Sequence, residues 1–377
     1  MDKNQQLKKI IVAVTNDLST DQRVAKTCNT ILEAGFNVDL IGRKLNNSLS
    51  ISRPYSVKRM SLWFNKGALF YANYNLMLFF RLLFNKCQAI WANDLDTLLA
   101  CYLAAKIKRI PVIFDSHEYF TEVPEIQHKP LVKKVWLFIE ETIVPRLQHC
   151  ITVSESIANL FYQKYQVKFN VVRNIPMQQQ LIEPNFDLQS LGLNSNNTTL
   201  ILQGSGINVD RGAEELLKAL EVVEEVNLII VGGGDVLTQL IDFVNSKQLQ
   251  HRVKFYPRMP YLEMMCYTQL ADIGVTLDKN TNINYQYSLP NKLFDYIHAE
   301  IPVLASPLVE VGNIISENNI GWVLKEHSVE TIVKTLNEIV KDNNQIRIKK
   351  QHCIQVKKQY TWQMEADNIK QILAKIG

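Results

Sequence analysis

Four polar residues, Ser288, Asn291, Lys292 and Asp295, crowd the start of one helical segment within YQYSLPNKLFDYIHAEIPVLAS, residues 285–306. Residues 289–299 have helical spacing, and a β-rich run over 302–305 follows at once. Ser288 reads as the N-cap and Pro290 is tolerated in a first turn, so the helix is expected to begin there. Asn291 and Asp295 are four residues apart and Lys292 and Asp295 three, which places all three on one face. An ammonium, a carboxylate and free backbone N–H groups at a helix N-terminus suit a phosphorylated, hydroxyl-bearing ligand. A capped helix with a surface salt bridge would use the same residues, so the upstream segments have to decide.

A strand over 199–203 runs into GSGINVDRG, residues 204–212, before another helix. Gly204 and Gly206 allow tight backbone near a ligand, and Arg211 stands at the helix entrance, where phosphate oxygens would be held. Val209 occupies the third glycine position of a dinucleotide fingerprint, and no Walker A sequence occurs. LIIVGGGD ends a second strand with Gly232, Gly233 and Gly234, a close turn or a close approach to a nucleotide. YPRMP, residues 256–260, places Arg258 near phosphate or simply forms a Pro-bounded loop.

The first half has its own polar strand ends. VTNDLSTDQRV, residues 14–24, offers Asn16, Asp17, Asp21 and Arg23 to hydroxyls and charges, although helix capping by Ser19, Thr20 or Asp21 accounts for some of them. WANDLDT places Asp94 at a strand end, and FDSHEYF places His117 and Glu118 after a buried strand. A lone histidine in that position is more often structural.

Behind these residues lies βα alternation. Strands are expected at 9–14, 37–42, 89–92, 112–115, 151–153 and 171–172, with helices at 21–34 and 95–107. After a polar stretch at 174–198, read as a linker, the pattern restarts with helices at 213–222, 236–246 and 261–269 and strands at 227–231, 253–255 and 273–277. The fold class is α/β, with two Rossmann-like lobes facing across a cleft. The first takes residues 1–173, with a helix at 358–377 packing back on it and carrying Trp362; the second takes 174–357.

The 377 residues are 47% hydrophobic and 21% charged, as in a soluble globular protein. A formal net charge of +4 without a basic run or an RNA-binding signature excludes nucleic acid as the partner. Six scattered cysteines form no CxxC pair, no histidine cluster has metal spacing, and neither metal nor cofactor is expected. The polar start MDKNQQLKK leads directly to a strand without a signal-peptide core, so a cytoplasmic location is expected. Residues 61–87 mix eight aromatic side chains with Lys66, Arg81 and Lys86. Asn73, Asn75 and Arg81 interrupt that segment, which therefore reads as a packed helix or as one resting on a membrane surface, never spanning it.

The order of segments from 204 to 306 resembles the nucleotide-sugar lobe of retaining GT-B glycosyltransferases of family four (glycosyl transferases group 1). The family carries two glutamates on the helix before a Pro-Val strand. The second maps to Asp295, seven residues before Pro302, which the resemblance implies binds the donor ribose. The first maps to Tyr287, which is no carboxylate, and the family's extra arginine maps to Gly206. Arg211 and Lys292, joined by Arg258, are then left to neutralise the diphosphate. The resemblance also implies that His117 lies beside the donor sugar and that the 14–24 loop, Asp94 and Glu118 face the acceptor. It implies transfer from a nucleotide-sugar donor to a sugar or lipid-linked acceptor hydroxyl with retention. Arg211, Lys292 and the helix start would stabilise the departing diphosphate, with no metal and no dedicated base. Polysaccharide or glycolipid assembly, with peripheral contact at the inner face of a membrane, would be the setting. The alternatives are a nucleotide-sugar epimerase of the same architecture and a catalytically weak nucleotide-sugar-binding partner subunit.

Overall fold

The computed structural model describes residues 8–19, 21–46, 48–177 and 181–376, without the side chains of residues 124 and 125. The chain divides into two compact units, Met1–Asn174 with Trp362–Gly377, and Ile175–Thr361. The second boundary thus falls at Trp362 rather than at residue 358. Thr20, one of the capping candidates, lies outside the described residues.

Unit 1 runs β1 (Lys9–Asp17), α1 (Gln22–Glu33), β2 (Asn37–Arg43), β3 (Ser56–Met60), α2 (Gly67–Phe84), β4 (Ala89–Asn93), α3 (Leu95–Lys108) and β5 (Val112–Ser116). It continues with α4 (Pro124–Gln127), α5 (Pro130–Ile143), β6 (His149–Thr152), α6 (Glu155–Tyr165) and β7 (Asn170–Val171). Its seven strands form one parallel sheet in the order β3-β2-β1-β4-β5-β6-β7. β4 and β5 are buried at every residue, because parallel strands are covered on both faces. The chain winds one way from β1 through α1 and the other way from β4 through α3, and right-handed crossovers put those helices on opposite faces. Ile31 of α1 packs beneath Ile10 and Val12 together with Ile369, Ile372 and Leu373 near the end of the chain. On the other face α3 packs against both α2 and α5, and the rings of Tyr71 and Trp136 meet edge-on at 5.1 Å. The edge strand β3 was not anticipated; Lys58 and Arg59 interrupt its apolar run.

Unit 2 runs β8 (Thr198–Gly204), α7 (Ala213–Leu220), β9 (Val226–Gly232), α8 (Leu237–Ser246), β10 (Val253–Tyr256), α9 (Tyr261–Leu270) and β11 (Ile273–Thr276). Next come α10 (Ile283–Gln286), α11 (Asn291–His298), β12 (Val303–Ala305), α12 (Val309–Asn318), β13 (Gly321–Val323), α13 (Val329–Lys341) and α14 (Asn343–Val356). The six strands are parallel in the order β10-β9-β8-β11-β12-β13. The supposed linker corrects to part of this unit. Ile175 and Leu193 are buried in its core, so the stretch from 175 is tied down by apolar packing despite its polar composition. The last helix, α15 (Trp362–Ala374), belongs to unit 1. Trp362 is buried there, donating from Nε1 to Thr30 Oγ1 at 3.1 Å beneath the Lys26 ammonium.

Candidate functional site

In a doubly wound sheet, ligands gather where the strand order reverses, at the carboxyl ends of the two strands beside the reversal. In unit 2 those strands are β8 and β11. Arg211 follows β8, and Asp278 follows β11 with none of its side chain exposed. Arg211 Nη1 donates to Asp278 Oδ2 at 2.9 Å, and Lys292 Nζ lies 3.9 Å from Asp278 Oδ1. One buried carboxylate therefore gathers the two cations that the sequence singled out. The Arg211 guanidinium also lies over the Tyr285 ring at 4.3 Å. Asp278 escaped the sequence reading, and its only signal was a lone acid ending the apolar run IGVTL.

Helix α11 is held against the same strand ends by Tyr296. A side chain on Gly274 in β11 would overlap the Tyr296 ring, so the glycine lets that ring lie on the sheet. The Tyr296 hydroxyl accepts from Gln203 N at 3.3 Å and lies 3.2 Å from Ile201 O and 3.1 Å from Val275 O. Lys292 sits one turn before Tyr296, so the ring sets where the ammonium stands. Burial pushes the Lys292 ammonium below its ordinary range and Arg211 adds to this, while Asp278 works in the other direction.

Asp295 is buried and engaged. Tyr261 donates to Oδ1 at 3.0 Å and Gln203 Nε2 to Oδ2 at 3.2 Å, so the carboxylate is fixed in place. Asn291 is exposed at the first turn. Ser288 is not the N-cap: Pro290 takes that position, and Ser288 Oγ donates back to Tyr285 O at 3.0 Å, closing α10. Tyr287, at the end of α10, likewise donates its N–H to Ile283 O.

The glycine turns bring two strand ends into backbone contact. Gly204 pairs with Gly232 across β8 and β9, and a Cβ at Gly232 (φ +141°) would overlap the Gly204 carbonyl oxygen. Gly233 N donates to that carbonyl at 3.1 Å, and a side chain on Gly233 would strike Arg258. Exposed Arg258 instead donates to Ser205 O at 2.5 Å, beside Gly206, where an added Cβ would meet Asn208 Nδ2 at an ordinary 3.6 Å.

Unit 1 repeats the logic at its own reversal, between β1 and β4. Thr15 Oγ1 donates to Asp96 Oδ2 at 2.6 Å. Asp94 sits in the left-handed region at φ 59° and caps nothing. Its Oδ1 accepts the His117 N–H at 2.8 Å and its Oδ2 lies 3.2 Å from His117 Nδ1. On the other side of the ring, Nε2 is 3.6 Å from Asp115 Oδ2. Both ring nitrogens therefore face carboxylates. Burial opposes charge on His117, but Asp94 and Asp115 prevail and hold it up to about 9. Burial likewise raises Asp94, and with the neighbouring Asp94 charge it lifts Asp96 to about 8. Asp115 goes the other way: burial is outweighed by Arg23 and His117.

Several acceptor-side candidates are used internally. Arg23 is buried, bonded to Asp115 Oδ1 at 2.7 Å and to Val172 O at 2.8 Å, so its charge stabilises the carboxylate behind His117 instead of facing solvent. Asp21 caps α1 through Val24 N and accepts from exposed Asn16. Asp17 accepts from Ser19 and from Ser48 Oγ; burial pushes its carboxyl up, but these bonds outweigh burial and leave it below its ordinary value. Glu118 is half-buried, and its carbonyl accepts from Ser116 Oγ. Asp115 and Asp96 were missed because their partners lie far away in sequence.

The model for glycosyl transferases group 1 matches residues 186–360, and the model for glycosyltransferase family 4 matches 22–177. Between them they take in most of both units. The chain belongs to the group 1 glycosyltransferases. Solved structures agree on the fold. Sucrose-phosphate synthase from Thermosynechococcus elongatus aligns at TM-score 0.79 and 14% identity, covering 98% of each chain. Anabaena HepE in complex with UDP-glucose aligns at 0.69 and 14%, covering 97% of this chain and 99% of the other. WaaG, a glycosyltransferase involved in lipopolysaccharide biosynthesis, aligns at 0.71 and 12%, covering 96% and 99%. Comparison with curated proteins returns no match. This glycosyltransferase thus has the GT-B fold, a Rossmann-like domain in each unit.

Proposed function

We propose that this group 1 glycosyltransferase moves a sugar from a nucleotide-diphosphate donor to an acceptor hydroxyl with retention at the anomeric carbon, in polysaccharide or glycolipid assembly. One observation carries the reading: Arg211 and Lys292 converge on buried Asp278 where the strand order of unit 2 reverses. A departing nucleoside diphosphate gathers negative charge, and prepositioned cations beside a helix start lower that barrier without reorganising. Arg211, Lys292 and the first turn of α11 take that role in place of a metal. Asp295, held by Tyr261 and Gln203, accepts from the ribose hydroxyls. The structure of Anabaena HepE with UDP-glucose supports a nucleotide-sugar as the donor class, and the role of WaaG in lipopolysaccharide biosynthesis supports the setting.

The test is a thermal-shift screen of the whole chain across UDP-, GDP-, ADP- and dTDP-linked sugars, repeated with Asp295→Ala and Lys292→Ala. At least one donor should stabilise the parent, and both variants should lose the shift. A parent unmoved by every donor, or variants that bind as well as the parent, would overturn the assignment. Incubation with donor alone, without acceptor, should give no epimerised sugar.

A further inference from the structure

At the carboxyl end of β2 one guanidinium lacks an anion. Arg43 is half-buried, and its Nε is shielded from solvent without a hydrogen-bond partner. The guanidinium lies over the buried Phe70 ring of α2 at 4.9 Å, and among the described residues its charge makes no ion pair. Other arginines withdrawn from solvent are matched. Arg23 has Asp115, Arg173 has Glu365, Arg211 has Asp278, and Arg252 has the backbone carbonyls of Leu220 and Val223. An arginine keeps its charge and five N–H donors at every accessible pH, so Arg43 must find its oxygens in water or in a ligand.

The carboxylates around it have other partners. From residue 40 to residue 93 the sequence contains no Asp or Glu. Asp17 stands opposite Arg43 in the register of β1 and β2, yet it accepts from Ser19 and Ser48. Asp96 accepts from Thr15, and Asp39, earlier on β2, is paired with Lys9 and Lys58. Strand alternation fixes the face. Val38 and Leu40 pack with α1 and α15, as Val12 and Val14 do on β1, so Arg43 and Thr15 turn to the opposite side, where α2 and α3 lie. Exposed Lys44 and half-buried Arg59, the latter paired with Gly42 across β2 and β3, add charge of the same sign at this strand end.

We propose that the acceptor sugar carries an anionic group, a phosphate monoester or a carboxylate, and that Arg43 receives it at the carboxyl end of β2. The inference rests on the transfer reading, which leaves unit 1 for the second substrate once Arg211 and Lys292 take the donor in unit 2. Ligands gather at strand ends beside a reversal of strand order, and β2 adjoins β1 at the reversal of unit 1. The planar guanidinium can bond two oxygens of one phosphate or carboxylate at once. Phe70 supports it by its ring face and uses none of its donors, so the fork is held in place and left open. Lys44 and Arg59 draw an anion towards the same strand end through their field.

The test sets glucose, galactose and mannose each beside its 6-phosphate and its uronic acid. Binding to the full chain is measured by titration calorimetry, and transfer is measured with the donor that the thermal-shift screen selects. At least one anionic sugar should bind, and be used in kcat/KM, about 10–100-fold better than its neutral parent, the weight of a charge-assisted bond. The phosphate and uronate arms tell the two sources of negative charge apart. Arg43→Ala should raise KM for the anionic sugar towards that of the neutral one and leave the thermal shift by donor as it was. Arg43→Lys should recover part of the preference, since it restores charge without the fork. Arg53→Ala, which removes an exposed cation just before β3, should behave like the parent. The melting temperature of Arg43→Ala should stay within about 3 °C of the parent, because no ion pair is lost. Anionic sugars that never outdo their neutral parents, or a preference that survives Arg43→Ala, would overturn the proposal. So would a fall of about 8 °C or more in Arg43→Ala with the preference intact, which would make Arg43 a support of the fold. A parent that binds a nucleotide-sugar but shows no such preference sinks this inference alone. Preference through Arg43 in a chain that binds no nucleotide-sugar keeps the anion site and sinks the donor reading.

Discussion

Replacing Lys292 by methionine should make the protein more stable and far less active. The Lys292 side chain is 14% exposed, and its nearest carboxylate oxygen, on Asp278, stands 3.9 Å away. Arg211 holds the other oxygen of that carboxylate at 2.9 Å, so Asp278 keeps its closer partner when Lys292 is lost. At an effective dielectric near 20, a charge pair at that longer separation attracts by about 4 kcal/mol, while withdrawing an ammonium from water costs several kcal/mol and Arg211 repels it. Burial wins, which is why the ammonium is held below its ordinary range. Methionine fills a similar volume without a charge, and a gain of about 1 kcal/mol, or roughly 2–4 °C in Tm, should follow at neutral pH. Activity should fall by about 10²–10³ in kcat, the usual loss when one group aimed at developing charge is removed. The sign of the pH dependence follows from the same geometry. With the folded value of Lys292 below 10.5, the folded protein binds fewer protons than the unfolded chain in the window between them, so parent stability rises with pH up to about 10.5. The variant lacks that rise, and its advantage should shrink as the pH climbs. Calorimetry from pH 7 to 10, beside turnover with whichever donor the screen selects, checks both halves. A Tm lowered by about 4 °C or more, or a kcat within about threefold of the parent, would refute the reasoning.

Three further outcomes follow from described contacts. His117, raised to about 9 by Asp94 and Asp115, contributes stability that is fully present below pH 6.5 and lost as the pH rises through 9. Urea titrations should show His117→Gln costing about 3 kcal/mol at pH 6 and little above pH 9, and a flat difference would contradict the clamp. Asp96, raised to about 8, imposes a cost that develops as the pH climbs from 3.8 towards 8, so Asp96→Asn should be more stable than the parent by about 1 kcal/mol or more at pH 8 and equal to it near pH 3. Gly232→Ala would force a Cβ onto the Gly204 carbonyl from a left-handed backbone, and a loss of roughly 2–3 kcal/mol in unfolding free energy, read as a lower denaturant midpoint, should result; an unchanged midpoint would show that the two turns separate freely.

The parts legible in the sequence were those written in local pattern. Short β-branched apolar runs and glycine turns marked the strands and their ends, and Arg211, Lys292 and Asp295 stood out because helix spacing and flanking glycines isolate them. What was illegible depends on pairs far apart along the chain. Asp278 matters because β11 returns beside β8 and brings it to Arg211, and Asp115 matters because Arg23 reaches across from α1. The helix start at 288 was misplaced by capping chemistry: a serine before a proline reads as an N-cap, but here it terminates the preceding turn. The polar stretch from 175 misled through composition, since two buried apolar side chains outweigh its asparagines.

The placement of α15 reverses the order in which the two units can be completed during synthesis. Trp362, Ala366, Ile369, Ile372 and Leu373 close the core around Ile10, Val12 and Ile31, so unit 1, although it leaves the ribosome before unit 2, waits for residues made after all of unit 2. Unit 2, whose residues are contiguous from Ile175 to Thr361, has all its parts earlier. A nascent chain stalled before residue 362 should therefore expose the α15 groove of unit 1 to chaperones while unit 2 already resists protease, and removing α15 should unfold unit 1 before unit 2.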